Sequence, residues 1–98
     1  MKTAIYMARY PGEAYDADMA RAEAFCAANG LVPMRTYGVE MVQDKGQVDA
    51  FLRAAAKGEF GVVAVPFPDC FATRIVKGLF AANVGLACYG TAPVRPSR

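Results

Sequence analysis

The spacing of apolar residues changes several times along this chain, and each change marks an element. Thr3, Ala4, Ile5, Tyr6 and Met7 form a short apolar run closed by the Tyr10-Pro11-Gly12 turn signal, which predicts a strand and its exit loop. From Asp16 the period is helical: Met19, Ala22, Phe25 and Cys26 share one face, Asp16 or Asp18 stands where a cap is needed, and Asn29-Gly30 closes the helix. Residues 31–37 alternate loosely and predict a second strand. Pro33 assigns it to a sheet edge, because a proline nitrogen donates nothing to a ladder. Residues 38–46 read as loop. Val48, Phe51, Leu52 and Ala55 then give the buried stripe of a helix over 47–57, stopped by Gly58. Gly61-Val62-Val63-Ala64-Val65 is continuous, β-branched and uncharged, as in a central parallel strand covered on both faces, and Pro66 and Pro68 end its pairing. A third helix over 70–82 presents Ile75, Val76, Leu79 and Phe80, although Gly78 weakens it by about 1 kcal/mol relative to alanine. Asn83 ends it. Residues 85–89 supply a last strand, and 91–98, with two prolines and no apolar period, read as a tail.

The order βαβαβαβ predicts a three-layer α/β fold: one domain over 1–90 with a mostly parallel four-stranded sheet and crossover helices. Ligands of such sheets gather at the carboxyl ends of the strands. Here that edge comprises residues 9–12, 38–46 and 66–73.

Composition removes most familiar chemistry. The 98 residues are 55% hydrophobic and 20% charged, and 11 Lys plus Arg against 9 Asp plus Glu leave +2, far from the concentrated charge of a strong nucleic-acid binder. There is no histidine, and the only serine is Ser97, so a Ser–His–Asp triad, a Cys–His dyad and histidine-bearing metal sites are excluded by inventory. Cys26, Cys70 and Cys88 form no C-x-x-C pair and read as reduced, mostly buried thiols of a cytoplasmic protein. No stretch reads as an export signal or a membrane span. Neither a cofactor nor a metal is expected.

Two segments resemble the catalytic domain of the serine recombinases, the resolvase and invertase family. Ala4-Ile5-Tyr6-Met7-Ala8-Arg9 is similar to that family's first strand, roughly A-I-Y-A-R-V-S. The run from Phe51 through Lys57-Gly58-Glu59-Phe60 to Val65 looks like its helix ending A-x-x-G-E-F followed by V-V-V, and Asp69 falls where its D-R-L-S-R motif begins. The resemblance spans about residues 2–90 and implies a resolvase-like fold. It also implies a serine after the first strand, attacking a DNA phosphate whose charge several arginines stabilise. Here Tyr10 and Pro11 occupy that neighbourhood. After Asp69 the motif reads Cys70, Phe71, Ala72 and Thr73, with Arg74 one place late. Lys45 stands near another family arginine but lacks the planar fork of a guanidinium. The family's long dimer helix would begin after Tyr89, so the chain is expected to lack both that helix and the DNA reader beyond it.

These departures lead to an expectation of a catalytically inactive resolvase-like domain, working as a protein-interaction or regulatory module through a partner or self-association. Arg9, Tyr10, Lys45, Asp69 and Arg74 are the remnant phosphate-site positions. Pro66, Phe67, Pro68, Cys70 and Phe71 form the expected interaction surface, since interface cores favour aromatics. Cys70 is expected at a helix N-terminus, where the dipole lowers a thiol pKa and Asp69 opposes it. Glu13, Asp16 and Asp18 read as first-turn residues complementing a helix dipole, not as metal ligands with Glu40 and Asp44. Two alternatives stand beside this reading. One is a small phosphate- or DNA-processing enzyme using Arg9 and Tyr10, which requires the five remnant positions to converge. The other is an accessory subunit of an active recombinase with weak DNA contact.

Overall fold

Strands and helices alternate as β1 (Lys2–Tyr6), α1 (Glu13–Ala28), β2 (Val32–Tyr37), α2 (Glu40–Gln43), α3 (Lys45–Ala56), β3 (Val62–Val65), α4 (Thr73–Ala81) and β4 (Gly85–Cys88). This is a computed structural model describing residues 1–90; the expected tail over 91–98 lies outside them. The four strands are all parallel in the order β2-β1-β3-β4. The expected α/β architecture is therefore present, with β3 inside the sheet and β2 at an edge. At that edge Thr3 faces Pro33 and Ala4 faces Arg35, so Met34 is an extra, bulged residue. A proline and a bulge both blunt an edge that would otherwise recruit other strands.

Strand alternation divides the core. Ala4, Tyr6, Val63 and Val65 face α2, α3 and α4, while Ile5, Met7 and Ala64 face α1. Phe51 of α3 is fully buried in the larger cluster, its ring centroid 4.8 Å from Tyr37, 5.6 Å from Phe60 and 5.9 Å from Phe71. Helix α1 meets the sheet through Ala22 and Cys26, with Met19 and Phe25 half-buried beside them, which is the face its spacing predicts.

All three long helices end alike. Gly30, Gly58 and Asn83 have φ of 68°, 78° and 62°, and the following amides of Leu31, Glu59 and Val84 donate to Cys26, Ala54 and Leu79 at 2.9, 3.1 and 2.9 Å. These are six-to-one bonds that satisfy carbonyls left free at a helix end.

The structure corrects four boundaries and one face. Helix α1 starts at Glu13, with Glu13 and Asp16 in its first turn and no side-chain cap, so neither Asp16 nor Asp18 caps it. The segment 38–46 is not all loop: it contains α2, and Asp44 accepts from the amides of Gly46 (2.8 Å) and Gln47 (3.3 Å), starting α3 at Lys45. Helix α4 starts at Thr73 instead of Cys70, because Phe71 turns into the core and Ala72 is extended. Phe80 is 59% exposed: Ile75 and Leu79 point at the core, and Phe80 lies one residue around from them. Gly78 has a packing reason, since a Cβ there would stand 2.9 Å from Leu52 Cδ2 and require the Leu52 side chain to shift.

Phe51→Ala is expected to cost about 3–5 kcal/mol by opening a cavity among three rings. Gly58→Ala is expected to cost about 1 kcal/mol through its left-handed conformation. Urea denaturation followed by circular dichroism checks both, and the order of the two values tests the central place given to Phe51.

Candidate functional site

The carboxyl ends of β1, β3 and β4 open on a cleft of about 370 Å³. Ala8 and Arg9 line it after β1, Pro66 and Phe67 after β3, Gly90 after β4, and Asp18 and Arg21 reach it from α1. This is the edge where the alternating pattern places ligands.

Its charged wall is built around one carboxylate. Arg9 Nε donates to Asp18 Oδ2 at 2.7 Å, and Arg21 donates to Asp18 Oδ1 at 2.8 Å. The Asp18 side chain is 13% exposed, whereas Arg9 and Arg21 are 57% and 47% exposed. The acid thus lies beneath two guanidiniums that face solvent. Asp18 stands beyond the first turn of α1, so its role is to hold arginines and not to complement the helix dipole. Asp18 and Arg21 were absent from the expected site. The signal available in the sequence was their i, i+3 spacing, which puts acid and base on one helix face.

The remnant positions separate. Arg9 turns to Asp18 on the α1 side of the sheet, while the next residue, Tyr10, donates from its hydroxyl to Gln43 Oε1 (3.2 Å), at the end of α2 on the other side. Lys45 is exposed at the first position of α3, Asp69 is exposed in the loop after β3, and Arg74 is exposed in the first turn of α4. Among the described residues, no hydrogen bond or ion pair joins Arg9 to Tyr10, Lys45, Asp69 or Arg74.

The expected interaction surface also divides. Phe67, Pro68 and Asp69 are exposed and Pro66 is half-buried, but Phe71 is only 8% exposed, its ring 4.8 Å from that of Tyr6. Phe71 therefore belongs to the core. Cys70 precedes α4 by three residues and gains nothing from its dipole. Burial pushes its thiol up to about 11, outweighing the amides of Cys70 and Phe67 that pull the other way. Cys88 donates its thiol to the Pro66 carbonyl (3.4 Å), and a Cβ at position 90 would overlap that same oxygen, so Gly90 is required for β4 to pass so close. Tyr89 closes the α1 face: its buried hydroxyl donates to the Tyr6 carbonyl at 2.9 Å, and burial holds the phenol well above its ordinary range. Among the described residues no group of three metal-ligating side chains converges, and no helix is long and apolar enough to cross a membrane.

Among solved structures, the chain is similar to the C-terminal catalytic domain of ISC1926 TnpA, an IS607-like serine recombinase. The TM-score is 0.65 at 14% identity, over 94% of this chain and 72% of that one. The chain has the fold of a serine recombinase catalytic domain. No protein-family model matches the sequence, and no curated protein does. At this identity the likeness concerns the fold: the parallel sheet and the strand-end edge on which the cleft lies.

Two outcomes follow from the half-buried Cys70 thiol. Cys70 is expected to alkylate with iodoacetamide near pH 8 about two orders of magnitude more slowly than an ordinary free thiol, because so little of it is thiolate. Peptide mapping by mass spectrometry reads that rate. In the unfolded chain the thiol ionises near 9.0, while the folded chain keeps it protonated to about 11, so the stability this provides is full below pH 9 and declines from pH 9 to 11. Urea midpoints across that range should fall, and a Cys70→Ala variant should fall less.

Proposed function

We propose that this chain is a recognition module built on the recombinase scaffold, and that it does not cleave or join DNA strands. The divergence of Arg9 and Tyr10 carries this reading. Attack on a phosphodiester needs a nucleophile and cations converging on one phosphate, at about hydrogen-bond distance from its oxygens. Tyr10 carries the exposed hydroxyl of the loop after β1, yet it donates to a neutral amide on the opposite side of the sheet from Arg9. A phenol ionises near pH 10 and needs a base or several cations to act earlier. Cys70, a thiol of this edge, is held neutral by burial.

The recognising face is the strand-end edge. Tyr10 is 60% and Phe67 is 48% exposed there, and Pro66 and Pro68 restrain the loop that carries Phe67. Exposed aromatics on restrained backbone suit the core of a protein interface, with Arg74 on its rim. The partner is a protein or a second copy of the chain, in a setting related to recombination. A second reading, an accessory subunit that contacts DNA beside an active recombinase, draws on the exposed guanidiniums of Arg9 and Arg21.

Purified protein incubated with a recombination-site oligonucleotide is expected to give no covalent protein–DNA species on denaturing gels, with or without Tyr10→Phe. A covalent species lost in Tyr10→Phe would overturn the reading in favour of an enzyme. Light scattering over a concentration series is expected to show association that Tyr10→Asp weakens. A gel shift that steepens as salt is lowered would move the assignment to the DNA-contacting subunit.

A further inference from the structure

We infer that the cleft between Arg9, Arg21 and Phe67 is a binding site for a mononucleotide, with the phosphate on the two guanidiniums and the base against the phenylalanine ring. This goes beyond the recognition role and does not depend on it.

The phosphate half rests on how Asp18 divides its partners. Each carboxylate oxygen takes one guanidinium, Oδ2 the Nε of Arg9 and Oδ1 a terminal nitrogen of Arg21. Among the described residues these are the only hydrogen bonds either guanidinium donates, so both terminal nitrogens of Arg9, and Nε and the second terminal nitrogen of Arg21, remain for a ligand. One acid between two bases leaves a single net positive charge. The acid lies underneath at 13% exposure and the cations above at 57% and 47%. Two guanidiniums tethered to one carboxylate can each offer their remaining N–H groups to the oxygens of a phosphate, and holding them in advance removes part of the ordering cost of binding. A lone exposed arginine has neither property.

The base half rests on Phe67. It lines the same cleft and is 48% exposed although it is a large apolar ring, and prolines on both sides restrain its backbone. Aromatic side chains stack on any base, since every base presents a π face. Ala8 and Gly90 line the remaining cleft, and Gly90 in its close passage by the Pro66 carbonyl leaves no side chain to fill it. A volume of about 370 Å³ is at the small end of ligand pockets and fits one nucleotide unit. A polyanion is a poorer occupant. The chain carries only +2 overall, and the remaining remnant cations, Lys45 and Arg74, do not join the Arg9 cluster.

Isothermal titration calorimetry of the whole chain with adenosine, guanosine, cytidine and uridine 5′-monophosphates tests this. Inorganic phosphate, adenosine and a ten-nucleotide oligothymidine serve as comparators. All four monophosphates are expected to bind, at least tenfold tighter than phosphate or adenosine alone. Arg21→Gln and Phe67→Ala are each expected to weaken binding fivefold or more, with urea midpoints unchanged because both side chains are exposed. Equal binding of phosphate and the monophosphates, or Phe67→Ala without effect, would reduce the site to a simple anion contact and overturn the proposal. Binding of the oligothymidine without binding of the monophosphates would overturn it in favour of single-stranded nucleic acid. None of these results bears on strand cleavage, which the covalent-adduct experiment decides separately.

Discussion

The strand-end edge takes its shape from the burial of Phe71. Packed 4.8 Å from Tyr6 and 5.9 Å from Phe51, this ring pins the segment between β3 and α4 into the larger core. Burial of a phenylalanine side chain contributes about 1.5–3 kcal/mol, and ring-to-ring geometry adds about 0.5–1.5 kcal/mol. The consequences run along the backbone in both directions. Toward the C-terminus, α4 is delayed to Thr73; toward the N-terminus, Cys70 is drawn into apolar surroundings, and Phe67 is left over the cleft. Gly90 and Cys88 then close on the Pro66 carbonyl, tying β4 to the same loop.

The other wall depends on electrostatics. A single exposed ion pair contributes little because water screens both charges. Asp18 escapes part of that limit by accepting from two arginines on separate oxygens while largely shielded itself. The chain gains a local concentration of positive charge without a high net charge, and it gains it where the loop after β1 meets α1, the helix that covers the smaller half of the core.

Fold and site are separable here for a physical reason. The aromatic cluster around Phe51 and the left-handed helix ends at Gly30, Gly58 and Asn83 use none of the charged or aromatic residues that line the cleft. The exposed strand-end side chains can therefore change without weakening the framework, which is how one scaffold comes to carry unrelated sites. The likeness to a serine recombinase catalytic domain at 14% identity is a likeness of that framework.

Much of the framework is legible in residue order. The continuous run Val62 to Val65 suits a strand covered on both faces; Pro33 cannot donate inside a ladder; and Asn29-Gly30 and Gly58 mark helix ends because few residues adopt positive φ. Each of these signals is local, so the chain states it directly. Which way a loop side chain turns is not local. Nothing in Phe67-Pro68-Asp69-Cys70-Phe71 says that the second aromatic goes into the core and the first stays out, since that depends on space left by Tyr6 and Phe51. Arg9 and Tyr10 are adjacent in sequence and part to opposite sides of the sheet because Asp18 and Gln43, on different helices, compete for them. The sequence by itself determined the strands, the three long helices and the missing reactive groups. Only the tertiary structure decided which charges meet, because contacts between distant segments exist only after the sheet has set their positions.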